Sequence, residues 1–284
     1  MFLKRYHWTV AYRKNKNDNF KIIPNPPWGW CADPFLVEYK SEIYIFAEAF
    51  LYKSERKGVI VYSKYNGTSF SDWKVSMDKH WHLSYPNVFV INNELYMCPE
   101  SYQNETISLY KLENFPDKWN RSKILLDNVK YVDSTFLLYN GNNYMFTFAP
   151  KFKNAEGELL LYKKEKDCYQ KVSVITADKK KARPAGNFII ENGKLIRVAQ
   201  ISGKTYGEGI VFLEIEELYP NYKEHEVRRM YPGDISIENN KCYCGIHTYN
   251  QYNEFEVIDL KYKLFSFSEW IARKRIRKVF VEKY

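Results

Sequence analysis

One phrase, written five times over, limits this chain more than any other feature. A polar or proline-bearing corner leads into a strand, a short polar turn and a second strand. The copies are Asp33–Val37 with Ile43–Glu48, Tyr85–Val90 with Leu95–Glu100, Asp133–Leu138 with Tyr144–Phe148, Arg183–Ile190 with Leu195–Gln200, and Pro232–Ile237 with Cys242–His247. Turns such as Asn92-Asn93, Asn140-Gly141, Asn192-Gly193 and Asn239-Asn240 use residues that tolerate the positive φ of tight hairpins. A third apolar strand follows each pair, at Gly58–Tyr62, Ile107–Tyr110, Leu159–Tyr162, Gly209–Leu213 and Phe255–Ile258. With copies starting near residues 33, 86, 133, 184 and 233, the period matches the roughly fifty residues of a propeller blade. The expected fold is all-β: a five-bladed β-propeller over residues 1–260 with a short basic amphipathic segment over 261–284. Trp8–Tyr12 is apolar enough to join the last blade and close the ring. An open solenoid would need capping repeats, which the sequence lacks.

The bulk properties agree with one large globular domain: 284 residues, 45% hydrophobic and 27% charged. No apolar run reaches the roughly 18–20 residues of a membrane-spanning helix. Met1–Trp8 has no apolar stretch of the signal-peptide kind. Cys31, Cys98, Cys168, Cys242 and Cys244 are scattered and odd in number, so free thiols in a reducing cytoplasm are expected.

The net charge of +9 leaves nucleic acid, anionic membrane and phosphorylated ligands open, but the charge is uneven. Residues 261–284 hold eight basic side chains against Glu269 and Glu282. Ser266–Glu269 has capping-box spacing, and Trp270, Ala272, Ile276, Val279 and Phe280 follow at helical intervals. The segment 266–284 reads either as a contact for an anionic membrane surface or as an element packed on the propeller with a solvated basic face. No helix-turn-helix, zinc-finger or RNP pattern occurs, so nucleic acid is not expected as a partner. Cys242-x-Cys244 near His247 lacks the spacing of a four-ligand zinc site. With no phosphate-cradling loop or dinucleotide fingerprint, neither metal nor cofactor is expected.

In a propeller the first strand of each blade lines the central channel and the second returns beside it. The start of one and the end of the other therefore open on the same mouth. That brings Asp33, Glu48, Glu100, Asp133, Arg183, Gln200 and His247 around one axis, with Trp28, Trp30, Tyr85 and Tyr206 in the same or adjoining loops. Singly, each has an ordinary reading. An Asp before Pro forms turns, a Glu at a strand end is solvated, an Arg caps a blade and a His fills a hydrogen bond. As a set at equivalent repeat positions they point to a carbohydrate site, where carboxylates move protons or stabilise an oxocarbenium ion and rings stack on sugar faces.

Gly29–Phe35 followed by Tyr44–Glu48 resembles the first blade of five-bladed propeller glycosidases, a group that includes arabinanases, xylosidases and invertase-like fructosidases. His82–Pro86, Met97–Ser101, Tyr131–Thr135, Arg183–Gly186 and Gly245–Thr248 look like the propeller region at the N-terminal end of plant glucosamine inositolphosphorylceramide transferases. Related bacterial proteins are linked with surface-polysaccharide assembly. By position, the glycosidase resemblance implies that Asp33 is base or nucleophile and that Asp133 orients substrate. It also implies a general acid Glu in the fourth blade, where this chain has Arg183-Pro184-Ala185-Gly186 instead, leaving Glu100 of blade two as the nearest replacement. Loss of a positioned acid costs hydrolysis about 10²–10⁴-fold, whereas a sugar phosphate leaves without a strong acid and Arg183 can meet its charge. The resemblance implies a separate transferase domain in the plant proteins, and none is expected within these 284 residues.

The expectation is thus a carbohydrate-active, cytoplasmic protein at the inner membrane face, carrying out glycosyl transfer in cell-surface glycan assembly on a carbohydrate or sugar-nucleotide substrate. Asp33, Glu100 and Asp133 are the catalytic candidates, and Trp30, Glu48, Tyr85, Arg183, Gln200, Tyr206 and His247 the substrate-binding ones. A glycoside hydrolase using Asp33 and Glu100, or a glycan-binding propeller without chemistry, are the alternatives.

Overall fold

The computed structural model describes residues 5–53, 57–151, 156–239 and 241–264. The amphipathic segment expected at 266–284 lies outside the described residues. Five antiparallel sheets stand around an axis as five blades. Blade one is β3 (Gly29–Tyr39), β4 (Glu42–Leu51), β5 (Gly58–Lys64) and β6 (Lys74–Met77). Blade two is β7 (Ser84–Ile91), β8 (Glu94–Glu100), β9 (Thr106–Asn114) and β10 (Lys118–Asp127). Blade three is β11 (Val132–Tyr139), β12 (Asn142–Lys151), β13 (Glu156–Glu165) and β14 (Cys168–Thr176). Blade four is β15 (Ile189–Glu191), β16 (Lys194–Ile201), β17 (Gly209–Glu217) and β18 (Lys223–Met230).

Blade five joins the two ends of the chain. Its inner hairpin is β20 (Tyr249–Tyr252) with β21 (Phe255–Leu264), and β1 (Arg5–Arg13) pairs with β21 from Arg5↔Leu264 to Arg13↔Glu256. Outside β1 lies β2 (Lys21–Ile23), and beside it Phe20 forms a parallel bridge to Ile237. The expected closure by Trp8–Tyr12 is therefore present. The fifth repeat is placed differently from the sequence reading. Pro232–Asp234 is a 3-10 turn and Tyr243–Gly245 (β19) is a short strand against the outer end of β21. The hairpin turn is at Asn253, with φ 50°, rather than at Asn239-Asn240. Asn239-Asn240 has hairpin composition, but the segments flanking it pair with Phe20 and Tyr262 rather than with each other. Since β21 continues to Leu264, residues 261–264 belong to the sheet.

Both faces of each inner strand are covered, so these strands read as nearly continuous apolar runs rather than as alternation. Phe46 packs towards blade two with Tyr85 and Met97, while its neighbours Ile45 and Ala47 pack towards blade five with Val10 and Val257. Equivalent layers fill the other blade junctions, around Phe146 and Leu195 between blades three and four and around Phe212 and Tyr249 between four and five.

The channel is closed below the mouth by polar bonds across the axis. Asn87 Nδ2 donates to Asn187 Oδ1 at 2.7 Å, Asn250 Nδ2 to the Pro34 carbonyl at 2.7 Å, and the Gly186 amide to the Tyr85 hydroxyl at 2.8 Å. Blades two and four are not neighbours, so their two direct bonds require the axis to be filled there. The mouth is consequently a blind depression rather than a pore.

Candidate active site

A bulge repeated in the first three blades aims the functional side chains. In blade one Ala32 pairs with Glu48 and Phe35 with Phe46, so Asp33 and Pro34 together oppose Ala47. The same two-against-one step occurs at Tyr85-Pro86 and at Asp133-Ser134. Asp33, Tyr85 and Asp133 sit at φ 51°, 42° and 52°; blade four, where Pro184 pairs with Ala199, has its positive φ at Gly186 instead, at 142°. A bulge turns a side chain out of strand alternation, which carries Asp33 and Asp133 into the channel. Gly186 is required there: a Cβ would lie 2.0 Å from the Tyr249 carbonyl oxygen.

The mouth collects acidic groups. Asp33, Glu48 and Asp133 are buried and Glu100 is partly buried. Burial pushes Glu48 well above the usual carboxylate range, and the charges of Asp33, Glu100, Asp259 and Asp133 add to the effect. Burial likewise raises Glu100 to about 8, with Asp133 adding and Arg183 opposing. Asp33 rises only to about 6: burial drives it up, while His247 and the Thr248 hydroxyl, which donates to Oδ1 at 2.8 Å, hold it down. Glu100 is thus pushed further towards its protonated form than Asp33, the direction of separation that acid–base chemistry uses.

The remaining expected residues fall into place around these. Arg183 Nε donates to Asp133 Oδ2, and its guanidinium lies 5.2 Å from the Tyr206 ring centre. Tyr206 is 39% exposed and stands edge-on to His247 at 5.3 Å. Trp30, partly buried, stacks on Phe50 at 5.0 Å on the blade-one rim. Gln200 is buried, and its Nε2 donates to the Pro184 carbonyl at 3.4 Å. Glu48 Oε1 lies 3.4 Å from His82 Nε2. Tyr85 departs from the role of a stacking ring: it is fully buried, and its hydroxyl meets Thr135 Oγ1 at 2.8 Å beneath the mouth.

Two residues were missed by the sequence reading. Asp259, fully buried on β21, faces the start of the fifth inner strand as Glu48 and Glu100 face theirs. Its Oδ1 accepts from the amides of His247 (2.9 Å) and Thr248 (3.0 Å), its Oδ2 from the amide of Asp33 at 3.0 Å. The recurrence of an acid or amide there, at Glu48, Glu100 and Gln200, pointed to Asp259 once the fifth hairpin is set at Asn253. Trp8 stacks on His247 with ring centres 3.9 Å apart. Among the described residues, Asp33, His247 and Asp259 bring three metal-ligating types together. However, the two imidazole nitrogens face different carboxylates, Nδ1 to Asp259 at 2.5 Å and Nε2 to Asp33 at 3.5 Å. One ligand atom of each residue lies within 4.8 Å of the others, with the imidazole between the two carboxylates.

The family profile of the glucosamine inositolphosphorylceramide transferase 1 N-terminal region matches residues 22–272, the span that contains blades one to four, the β20–β21 hairpin of blade five and every carboxylate of the mouth. The chain belongs to this family. A glucosamine inositolphosphorylceramide transferase 1 from Oryza sativa subsp. indica is 30% identical over 253 residues, covering 81% of this chain and 33% of the relative. The protein of the same name from Arabidopsis thaliana is 33% identical over 215 residues, covering 71% and 28%. The chain thus spans about a third of the length of these relatives. Among solved structures, an α-L-arabinofuranosidase from Podospora anserina in complex with cellotriose superposes with a TM-score of 0.63 at 9% identity, over 90% of this chain and 96% of the other. A thermostable family-43 glycoside hydrolase gives 0.56 at 14% identity, over 85% and 92%. These likenesses establish the propeller fold, as the sequence motifs implied.

Proposed function

We propose that this mouth is a carbohydrate-active centre that transfers a glycosyl group from an activated donor to an acceptor hydroxyl. The observation that carries the reading is the gathering of Asp33, Glu48, Glu100 and Asp133 at one mouth, where burial raises Glu100 to about 8 and Asp33 only to about 6. The acceptor oxygen attacks the anomeric carbon and its proton passes to Asp33. The bond from that carbon to the leaving oxygen breaks as positive charge builds on the sugar ring. Glu100 donates a proton to the leaving oxygen, or a phosphate leaves as an anion beside Arg183. Asp133 holds the Arg183 guanidinium in place, and Trp30 and Tyr206 offer ring faces to the sugar.

The relatives' names pair an amino sugar with a lipid-linked inositol phosphate. This supports a lipid-linked acceptor; a setting in cell-surface glycan assembly on the inner membrane face is part of the same proposal. Hydrolysis, with water as the acceptor, is the second reading, favoured by the likeness to glycoside hydrolase folds. Incubation with a panel of sugar nucleotides and lipid-linked acceptors, followed by mass spectrometry, separates the two. Transfer yields an acceptor heavier by one sugar, hydrolysis yields free sugar, and oligosaccharide binding without either product reduces the mouth to a binding site. Asp33→Asn lowers turnover by about 10²–10⁴-fold if Asp33 is the base, and unchanged turnover removes it from that role.

A further inference from the structure

The side chains Asp259, His247 and Asp33 lie in a row in which the two carboxylates serve backbone amides while the imidazole between them serves none. Asp259 is fully buried, and His247 and Asp33 are nearly so. Backbone amides alone would be served by any acceptor at Asp259. Yet its second oxygen also meets His247 Nδ1 at 2.5 Å, and the opposite nitrogen, Nε2, looks at Asp33 Oδ1 from 3.5 Å. Trp8 covers one face of the imidazole and Tyr206 stands edge-on to it, so the ring cannot swing away from either carboxylate without losing both contacts. Neither approach has hydrogen-bond geometry, but a carboxylate beside each nitrogen favours the doubly protonated, positively charged imidazole by Coulomb attraction.

We propose that Asp259 is a positioning residue which, through His247, forms a buried relay to Asp33, holding the imidazole as a cation against Asp33 and so keeping that carboxylate ionised. The groups facing His247 come from four sides. Asp259 lies on β21, Asp33 on β3, Tyr206 in the loop between β16 and β17, and Arg183 in the segment before β15. Burial and Arg183 work against the cation; Asp259 and Asp33 work for it and outweigh them, so His247 titrates above its ordinary value of 6.5. Its positive charge in turn lowers Asp33. Asp259 has no place at the reacting atoms in this scheme; it acts only through the ring. The consequence for catalysis rests on the reading of Asp33 as the base, whereas the relay itself does not.

The test therefore reads protonation rather than turnover. In the full-length protein with ¹⁵N-labelled histidine, His247 is expected to titrate with a midpoint above 6.5. Asp259→Asn is expected to lower its proton affinity at least tenfold. Should that variant fail to fold, Asp33→Asn, which leaves every Asp259 contact in place, is expected to lower the midpoint as well. His247→Gln, followed by carboxyl ¹³C NMR, is expected to move Asp33 above about 6. A midpoint at or below 6.5, or one unmoved by both Asp variants, overturns the relay. If the relay stands and no donor is turned over, only the transfer reading falls. If the relay fails while turnover still depends on Asp33, the transfer reading survives without it.

Discussion

Glu100→Gln should make the protein more stable, and the gain should depend on pH. A carboxyl raised from 4.5 in the unfolded chain to about 8 in the folded one is held protonated by the fold over a range where the unfolded chain ionises freely. Its contribution to stability is therefore complete below pH 4.5 and is lost as pH rises from there through 8. Each pH unit in that window costs about 1.4 kcal/mol. At pH 7 the wild type forgoes at most about 3 kcal/mol, and at pH 5 about 1 kcal/mol. Glu100 is only partly buried, so solvent screening reduces the pH 7 figure to about 2 kcal/mol. Glutamine fills the same space, never ionises and escapes the loss. For a chain of this size the difference is about 4 °C in Tm at pH 7, wider at pH 8.5 and nearly closed at pH 5. Thermal melts of both proteins at the three pH values provide the assay. A gap that is constant with pH, or a variant less stable than wild type at pH 8.5, would show that Glu100 is not held protonated and would remove its role as the acid.

Three further outcomes follow from the same geometry. Gly186→Ala forces a Cβ against the Tyr249 carbonyl at a backbone angle that L side chains avoid; we expect a loss of about 3 kcal/mol or more, or insoluble protein, checked by chemical denaturation. Trp8→Ala empties the stack over His247 and a buried position on β1, and should cost about 3–5 kcal/mol in the same assay; a loss below about 1 kcal/mol would mean that β1 is not a structural member of the ring. Deleting residues 266–284 should reduce partition onto vesicles containing anionic lipid while sparing the melt of the propeller; unchanged partition would end the membrane reading of that segment.

The first four blades were legible because each carries its own hairpin turn in a tight sequence pattern, and a local pattern needs no knowledge of the rest of the chain. Blade five was read one strand out of place. Asn239-Asn240 has the same composition as a true turn, while the pairing that decides the matter, β1 on β21, joins residues at opposite ends of the sequence. That shift hid Asp259 and lent its repeat position to His247, which does reach the mouth, but from the beginning of the inner strand. The outer strands β10, β14 and β18 were missed as well. They are largely exposed and polar, so they lack the apolar signal that betrays the inner ones. The bulges at Asp33, Tyr85 and Asp133 leave little trace in sequence. They decide that Asp133 enters the channel and that Tyr85 is a buried strut rather than a wall.

The β1–β21 pairing also has a bearing on how the protein fails. The ring is held shut by a strand that can in principle peel off without breaking any other blade, and that strand carries Trp8, the cover of His247. A proteolytic cut shortly after Arg13, or early fraying on heating, would take one wall away from the mouth while four blades still stood. Loss of site function should therefore run ahead of global melting. Amide exchange across Tyr6–Tyr12 should then report the working lifetime of the protein better than its Tm does.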